Sequence, residues 1–422
     1  MMAQDGIETT LLPLAGYQPK RLRKAIIGER PKWILAEIGV RSITAARRTA
    51  VQIAEEFALP VAICGTFPTV KPGQAISFPG VTALLLGEYE QIASDYFYML
   101  SKEKDPAGLG GTWVNSDSGL VRGPLPNLSG DLDAYPFADR ELFDYGRHVE
   151  RTGELEIKVG RGCPQWCSYC VNDWYMKLYD GLGDFVRRRS PGDVLDEIQK
   201  LRDKYPSAQS VKFYDHAFAA DREWLAEFAE EYRDRCDLPF RCHVRLHAVD
   251  TELAKLLKAA GCRWVHSTVA SGSAFIAEDI LSVHTSPSQI ESGLKLLSEQ
   301  KLDVSLGVYI GTPYESEITL EETIALLHRA GAKQVHPKAF HPAPGTRCRE
   351  LCAENSWLCA NDEVRYWENR SALNQPSLSA GQTDAVIAKF PALVRKPSAE
   401  RLSKILRKAR RYSFGKRITD KK

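Results

Sequence analysis

Leu155-Glu156-Ile157-Lys158-Val159-Gly160-Arg161-Gly162-Cys163-Pro164-Gln165-Trp166-Cys167-Ser168-Tyr169-Cys170 joins a strand-like alternation to three cysteines spaced CxxxCxxC. Leu155, Ile157 and Val159 alternate with charged residues, which predicts a half-buried strand over 155–159. Glycine and proline then break the pattern, so the cysteines fall on the loop that leaves the strand. Thiolates are soft ligands suited to iron-sulfur clusters, and a short loop can wrap three of them round one face of a cubane. The fourth iron stays open, free to bind a substrate or cofactor. A zinc site short of one ligand is a competing reading, but a zinc knuckle would show paired CxxC spacings or a downstream histidine, and none follows closely. Three structural thiols are the other, and these rarely crowd into one short loop.

Downstream, strand and helix signals alternate for six units, with strands expected at 155–159, 210–214, 240–245, 264–269, 304–309 and 334–339. Ser190-Pro191-Gly192-Asp193 and Thr319-Leu320-Glu321-Glu322 read as capping boxes that open helices, while Gly261 and Gly331 stand where helices should stop. Six successive βα units predict an α/β fold, a six-stranded partial (βα)6 TIM-type barrel over 151–346, with function at its C-terminal mouth. Upstream, an apolar run at 33–40, a helix at 44–57 and strands at 59–65 and 81–87 predict a small open α/β sheet within 1–103. Such sheets bind ligands at the carboxyl ends of their strands. Residues 104–150 are rich in Gly, Pro, Asp and Asn and read as a linker. Residues 347–422 read as a helical C-terminal region, broken near Pro376, Pro391 and Pro397, with a basic tail whose last residues fray.

A chain of 422 residues exceeds one ordinary core, and 44% hydrophobic against 26% charged residues excludes disorder and fibrous repeats. The N-terminal stretch lacks a basic region followed by an apolar core, and no apolar run approaches a membrane span, so a cytoplasmic protein without membrane contact is expected. In that compartment ten irregularly spaced cysteines point to thiols and metal ligands rather than disulfides. Net charge is +2, with twelve Lys or Arg in 395–422. A basic tail can contact nucleic acid, although a solvated amphipathic helix carrying Leu402, Ile405 and Leu406 explains it more simply.

With an aromatic before its last cysteine, on the loop after the first strand of six, the CxxxCxxC motif resembles the radical S-adenosylmethionine (SAM) superfamily. The resemblance implies a 4Fe-4S cluster on Cys163, Cys167 and Cys170 whose open iron chelates SAM. Reductive cleavage then yields a 5′-deoxyadenosyl radical, with electrons from an external reductant such as flavodoxin or ferredoxin. It also implies cofactor contacts at Tyr169, at Asp215 in the strand ending Phe213-Tyr214-Asp215-His216, and at Ser271 and Gly272 in Val269-Ala270-Ser271-Gly272-Ser273. In the last of these Ala270 replaces the family's glutamate. Glu315 in Gly311-Thr312-Pro313-Tyr314-Glu315, the helix entry Arg187-Arg188-Arg189-Ser190-Pro191 and the exit Pro342-Ala343-Pro344-Gly345-Thr346 are further likenesses. Arg245 could reach the SAM carboxylate or could simply pair at the barrel mouth.

The segment 61–90 resembles the last two strands of the Rossmann-like cobalamin-binding domain that precedes many of these barrels, in a shortened form. By that likeness Gly65, Thr66, Gly87 and Glu88 would border the corrin, because glycines at strand ends let backbone approach a flat macrocycle. No cobalt-ligating histidine motif is present. Cobalamin-dependent methylation of an unactivated carbon in a small-molecule or peptide substrate is the reading favoured. The alternatives are a cobalamin-independent radical SAM cyclase or rearrangement enzyme and, from another class, a non-enzymatic nucleic-acid-binding protein. Cys348, Cys352 and Cys359 either ligate a second cluster or, at helical spacing, fill a core. His243, His247, His266, His336 and His341 lie near barrel strand ends, and none stands out as a base.

Overall fold

A computed structural model describes residues 1–14 and 16–419. The N-terminal part runs α1 (Pro19–Glu29), β1 (Ile34–Glu37), α2 (Ile43–Phe57), β2 (Val61–Cys64), α3 (Thr66–Val70), α4 (Pro72–Ile76), β3 (Val81–Leu85) and α5 (Tyr89–Ser101). β4 (Thr112–Ser116) and β5 (Gly119–Arg122) follow. β1, β2 and β3 are parallel, and β4 joins β3 antiparallel, giving one sheet in the order β1-β2-β3-β4-β5. Residues 112–122, expected within a structureless linker, therefore extend this sheet. Their strands are too short, and too closely hemmed by glycine and proline, for periodicity to reveal them.

The barrel opens with α6 (Tyr145–Thr152), β6 (Glu154–Ile157), β7 (Gly160–Arg161), α7 (Val171–Leu178) and β8 (Arg187–Arg188), with β7 and β8 forming a small antiparallel ribbon. It continues through α8 (Pro191–Lys204), β9 (Ser210–Phe213), α9 (Arg222–Arg235), β10 (Phe240–His243), α10 (Thr251–Ala259), β11 (Cys262–Val269), α11 (Pro287–Glu299), β12 (Asp303–Ile310), α12 (Glu317–Arg329) and β13 (Gln334–Ala339). The order β6-β9-β10-β11-β12-β13, parallel throughout, is the expected six-stranded α/β sheet. Alternate strand residues such as Leu155, Val211, Phe240, Val265 and Leu306 are buried against the outer helices in one large core. The intervening residues face the concave side.

Ser190 caps α8 as read from sequence, its hydroxyl accepting the Asp193 N–H at 3.2 Å. The second box is displaced: α12 is capped by Ser316, which pairs reciprocally with Thr319, so Thr319 is the third helical residue rather than the cap. The C-terminal region is helical: α13 (Arg347–Glu354), α14 (Asp362–Trp367), α15 (Ala380–Ile387), α16 (Phe390–Arg395) and α17 (Ala399–Thr419). Pro391 starts α16 instead of breaking a helix. The expected fraying falls on 420–422, outside the described residues. No helix among the described residues is long and apolar enough to cross a membrane.

Candidate functional site

The cysteine loop occupies the interval between β7 and α7. Gly162 begins it with φ 80°, and a Cβ there would lie 2.2 Å from the Phe185 carbonyl, so only glycine lets the chain turn beneath residue 185. Ser168 holds its far side, donating its N–H to Leu281 O (3.0 Å) and its hydroxyl to Ile280 O (2.7 Å). The Cys348 N–H donates to Ser168 O at 3.0 Å, tying α13 to the loop. Asp215 fixes the entry: Oδ2 accepts from Val159 N–H and Oδ1 from Gly160 N–H, both at 2.8 Å. Both carboxylate oxygens thus serve the backbone that launches the loop.

Cys163 and Cys167 are buried, Cys170 is half-buried, and all three are free thiols. Burial pushes the Cys167 thiol up and the Cys170 thiol up to about 11, with the Arg245 guanidinium opposing both shifts. Arg245 Nη2 lies 3.6 Å from Cys163 Sγ, and its buried Nε has no partner. Metal ligation requires thiolates, and a fixed guanidinium favours them. Among the described residues no three Cys, His, Asp or Glu side chains converge as ligands of a single ion. A cubane takes each thiolate on a separate iron, so three mutually interacting thiols on one loop fit a 4Fe-4S cluster in donor type and number.

Beside Arg245 a cavity is lined by Thr268, Val269, Ala270, Ser271 and Thr285. Ala270 adds no polar group to that wall, whose polar side chains are Thr268, Ser271 and Thr285. Ser271 is buried and accepts the Ser273 N–H at 3.1 Å, and Gly272 N–H donates to Thr323 Oγ1 at 2.8 Å. A Cβ at Gly272 would lie 2.5 Å from Thr323 Cα, so this glycine permits close packing on α12. Tyr169 turns its ring into an aromatic triangle with Tyr309 and Phe340, each centroid 5.5 Å away. Glu315 is buried: Oε2 accepts the Gly311 N–H, Oε1 lacks a partner, and burial pushes the carboxyl up to about 8.

The residues expected to border a corrin contact one another and the α7 segment. Gly87 N–H donates to Thr69 Oγ1 (2.9 Å), which donates to Gly65 O (2.7 Å). A Cβ at Gly87 would lie 1.8 Å from Tyr179 Oη, which accepts the Glu88 N–H at 2.8 Å. The Glu88 carboxylate receives Arg161 Nη1 at 2.9 Å and also Arg187. Thr66 and Thr69 both meet Tyr175 on α7. Tyr179 thus stands over Gly87 at the carboxyl end of β3. Sequence reasoning did not find Tyr175 and Tyr179, whose only signal is their i,i+4 spacing after the cysteine loop.

Residues 157–327 match the Radical SAM superfamily. This chain carries a radical SAM domain. The characteristic cofactors of that family are a 4Fe-4S cluster and SAM. An uncharacterized methyltransferase of Pyrococcus horikoshii is 23% identical over 291 residues, covering 68% of this chain and 61% of that protein. The cytidylyl-2-hydroxyethylphosphonate methyltransferase of Streptomyces wedmorensis is 22% identical over 292 residues, covering 63% and 52%. The chain thus spans between half and two thirds of these relatives' lengths. Among solved structures, the radical SAM methyltransferase TsrM of Kitasatospora setae, with cobalamin and a 4Fe-4S cluster bound, superposes with a TM-score of 0.64 at 19% identity. That alignment covers 80% of this chain and 67% of TsrM, a likeness of fold.

Cys348 and Cys352 are buried behind the loop in one apolar cluster with Cys167 and Phe340, while Cys359 is half-buried nearby. His341 and His247 are also engaged, through Arg370 O (2.8 Å) and Thr285 Oγ1 (3.0 Å) respectively.

Proposed function

We propose that this chain reductively cleaves SAM to methionine and a 5′-deoxyadenosyl radical, and that the radical serves methylation of an unactivated carbon. One observation carries the first part: three free thiols share a loop at the mouth of a six-stranded barrel, with Arg245 Nη2 3.6 Å from Cys163 beside a cavity. The chemistry available from a cluster on those thiols is single-electron reduction of the SAM sulfonium. The protein's own part is placement. Arg245, with an unpartnered Nε, is positioned to receive the SAM carboxylate, and Val269, Val283 and Ile290 form the apolar part of the cavity beside it. Methyl transfer is supported by the names of the two curated relatives, and cobalamin dependence by the likeness to TsrM.

A second reading, a cobalamin-independent cyclase or rearrangement enzyme, is favoured by Tyr179 standing over Gly87. Anaerobic reconstitution with iron and sulfide, then reduction with SAM, should release 5′-deoxyadenosine detectable by mass spectrometry, and the Cys163→Ala, Cys167→Ala and Cys170→Ala variants should release none. Wild-type protein without a cluster spectrum or cleavage would remove the proposal. Gel filtration after incubation with cobalamin divides the two readings, since retained corrin absorbance supports the first and its loss leaves the second.

A further inference from the structure

Polar residues of the radical SAM domain's strands alternate onto the concave face, opposite the helix-packed core. In the tier away from the mouth their charges cancel: Arg241 pairs with Glu154 at 2.6 Å and Lys212 with Glu156 at 2.7 Å. The tier at the mouth is different. Lys158, next to the end of β6, and Lys338 on β13 are exposed and have no carboxylate partner among the described residues. Asp215, the acidic residue at that level, has both oxygens on backbone amides.

Between the lysines stand His216, His243, His266 and His336. The His216 and His243 ring centroids are 6.0 Å apart, and those of His243 and His266 5.5 Å. Burial and then the surrounding cations hold these first three imidazoles below their ordinary pKa. Both Lys158 and Lys338 act on His216, so the sheet curls far enough to bring the lysines of its first and last strands towards one imidazole. His243 Nδ1 lies 3.0 Å from the His216 carbonyl, to which it can only donate. Its Nε2 in the neutral ring is therefore a bare lone pair, able to meet an oxyanion only after gaining a proton.

We propose that this concave tier is the substrate subsite and that it takes a small molecule bearing a doubly ionised tetrahedral oxyanion, a phosphate or phosphonate group, between Lys158 and Lys338. The assignment rests on the reading of the barrel mouth as the site of SAM cleavage. Two ammonium groups without an ion-pair partner, of which Lys158 also feels the backbone-bound Asp215 carboxylate, match two negative charges, and the imidazoles supply hydrogen bonds once His243 has taken up its proton. Arg245, His216 and His266 face His243 and oppose that uptake, while the anion reverses the balance. Binding of a tetrahedral dianion that does not itself titrate should accordingly tighten as pH falls.

Sulfate, a tetrahedral dianion that does not titrate near neutrality, is the probe. Calorimetry on the reconstituted full chain should show sulfate binding that weakens about tenfold in Lys158→Met and again in Lys338→Met, the size expected for losing one charge contact. Lys158→Arg should restore most of it, which separates charge from folding. Exchange of the remote Lys404 and Lys408 for methionine should change nothing. Equal binding by wild type and both lysine-to-methionine variants, or acetate binding as tightly as sulfate, would overturn the proposal. Sulfate binding needs no SAM cleavage: if it fails while 5′-deoxyadenosine still forms, only the substrate class falls, whereas failure of both removes the reading beneath it.

Discussion

Arg245 and Glu315 are charged groups placed where water is scarce, and they respond to that placement in opposite ways. Arg245 stays cationic beside Cys163 and Cys167, so replacing it removes both a counter-charge for the thiolates and a planar donor for a carboxylate. Arg245→Met should weaken SAM binding at least tenfold in equilibrium dialysis, and Arg245→Lys should recover only part, since an ammonium cannot present a bidentate fork. Glu315 has a folded-state pKa of about 8, above its ordinary 4.5, because burial outweighs the Gly311 and Thr312 amides. Between those two values the folded chain holds a proton that the unfolded chain has released, so stability falls as pH rises through that window. Glu315→Gln should flatten the decline of the unfolding temperature between pH 5 and 8. An unchanged slope would mean that other groups cause it.

The loop that carries the cysteines is set by the elements on either side of it. Asp215, next to the end of β9, clamps the backbone after β6 with two 2.8 Å bonds, and Asp215→Ala would orphan two amides at a cost of about 2–6 kcal/mol. Iron content after reconstitution should drop while far-UV circular dichroism persists; full iron loading would show that the loop holds its shape without the clamp. Gly162→Ala should act similarly, because φ 80° and the Phe185 carbonyl both exclude a side chain. The strands of this region were legible because each alternates apolar and polar residues over four or more positions, and β13 matches its expected range, 334–339. The cysteine spacing was legible because ligand chemistry is local. The hairpin 112–122 and the cap at Ser316 were not, the first for want of length and the second because Thr319 offers the same hydroxyl three residues on. Asp215 was visible as a polar strand end, but its backbone partners lie over fifty residues away and leave no trace in a linear pattern.

Across the whole molecule, the N-terminal sheet is coupled to the rest of the chain through contacts on two sides. Glu88, just after β3, accepts both Arg161 from the start of the cysteine loop and Arg187 from β8, while Tyr179 after α7 lies over Gly87. On the far side Arg41 donates to His341 O at 2.6 Å and Trp367 Nε1 to Arg41 O at 3.1 Å. Arg187 is buried, so removing Glu88 leaves a desolvated guanidinium without its carboxylate, a change that typically costs about 3–5 kcal/mol. Because Arg161 and Arg187 also form the ribbon that leads into the cysteines, that loss reaches the cluster loop without touching a ligand. Glu88→Ala should therefore lower the midpoint of thermal unfolding and split it into two calorimetric transitions, as the N-terminal sheet and the barrel lose their common support. Tyr179→Phe, which removes only the hydroxyl that accepts the Glu88 N–H, should cost about 1 kcal/mol and keep a single transition. If Glu88→Ala instead unfolds in one step at the wild-type temperature, the sheet is held by its apolar contacts and the ion pairs are incidental.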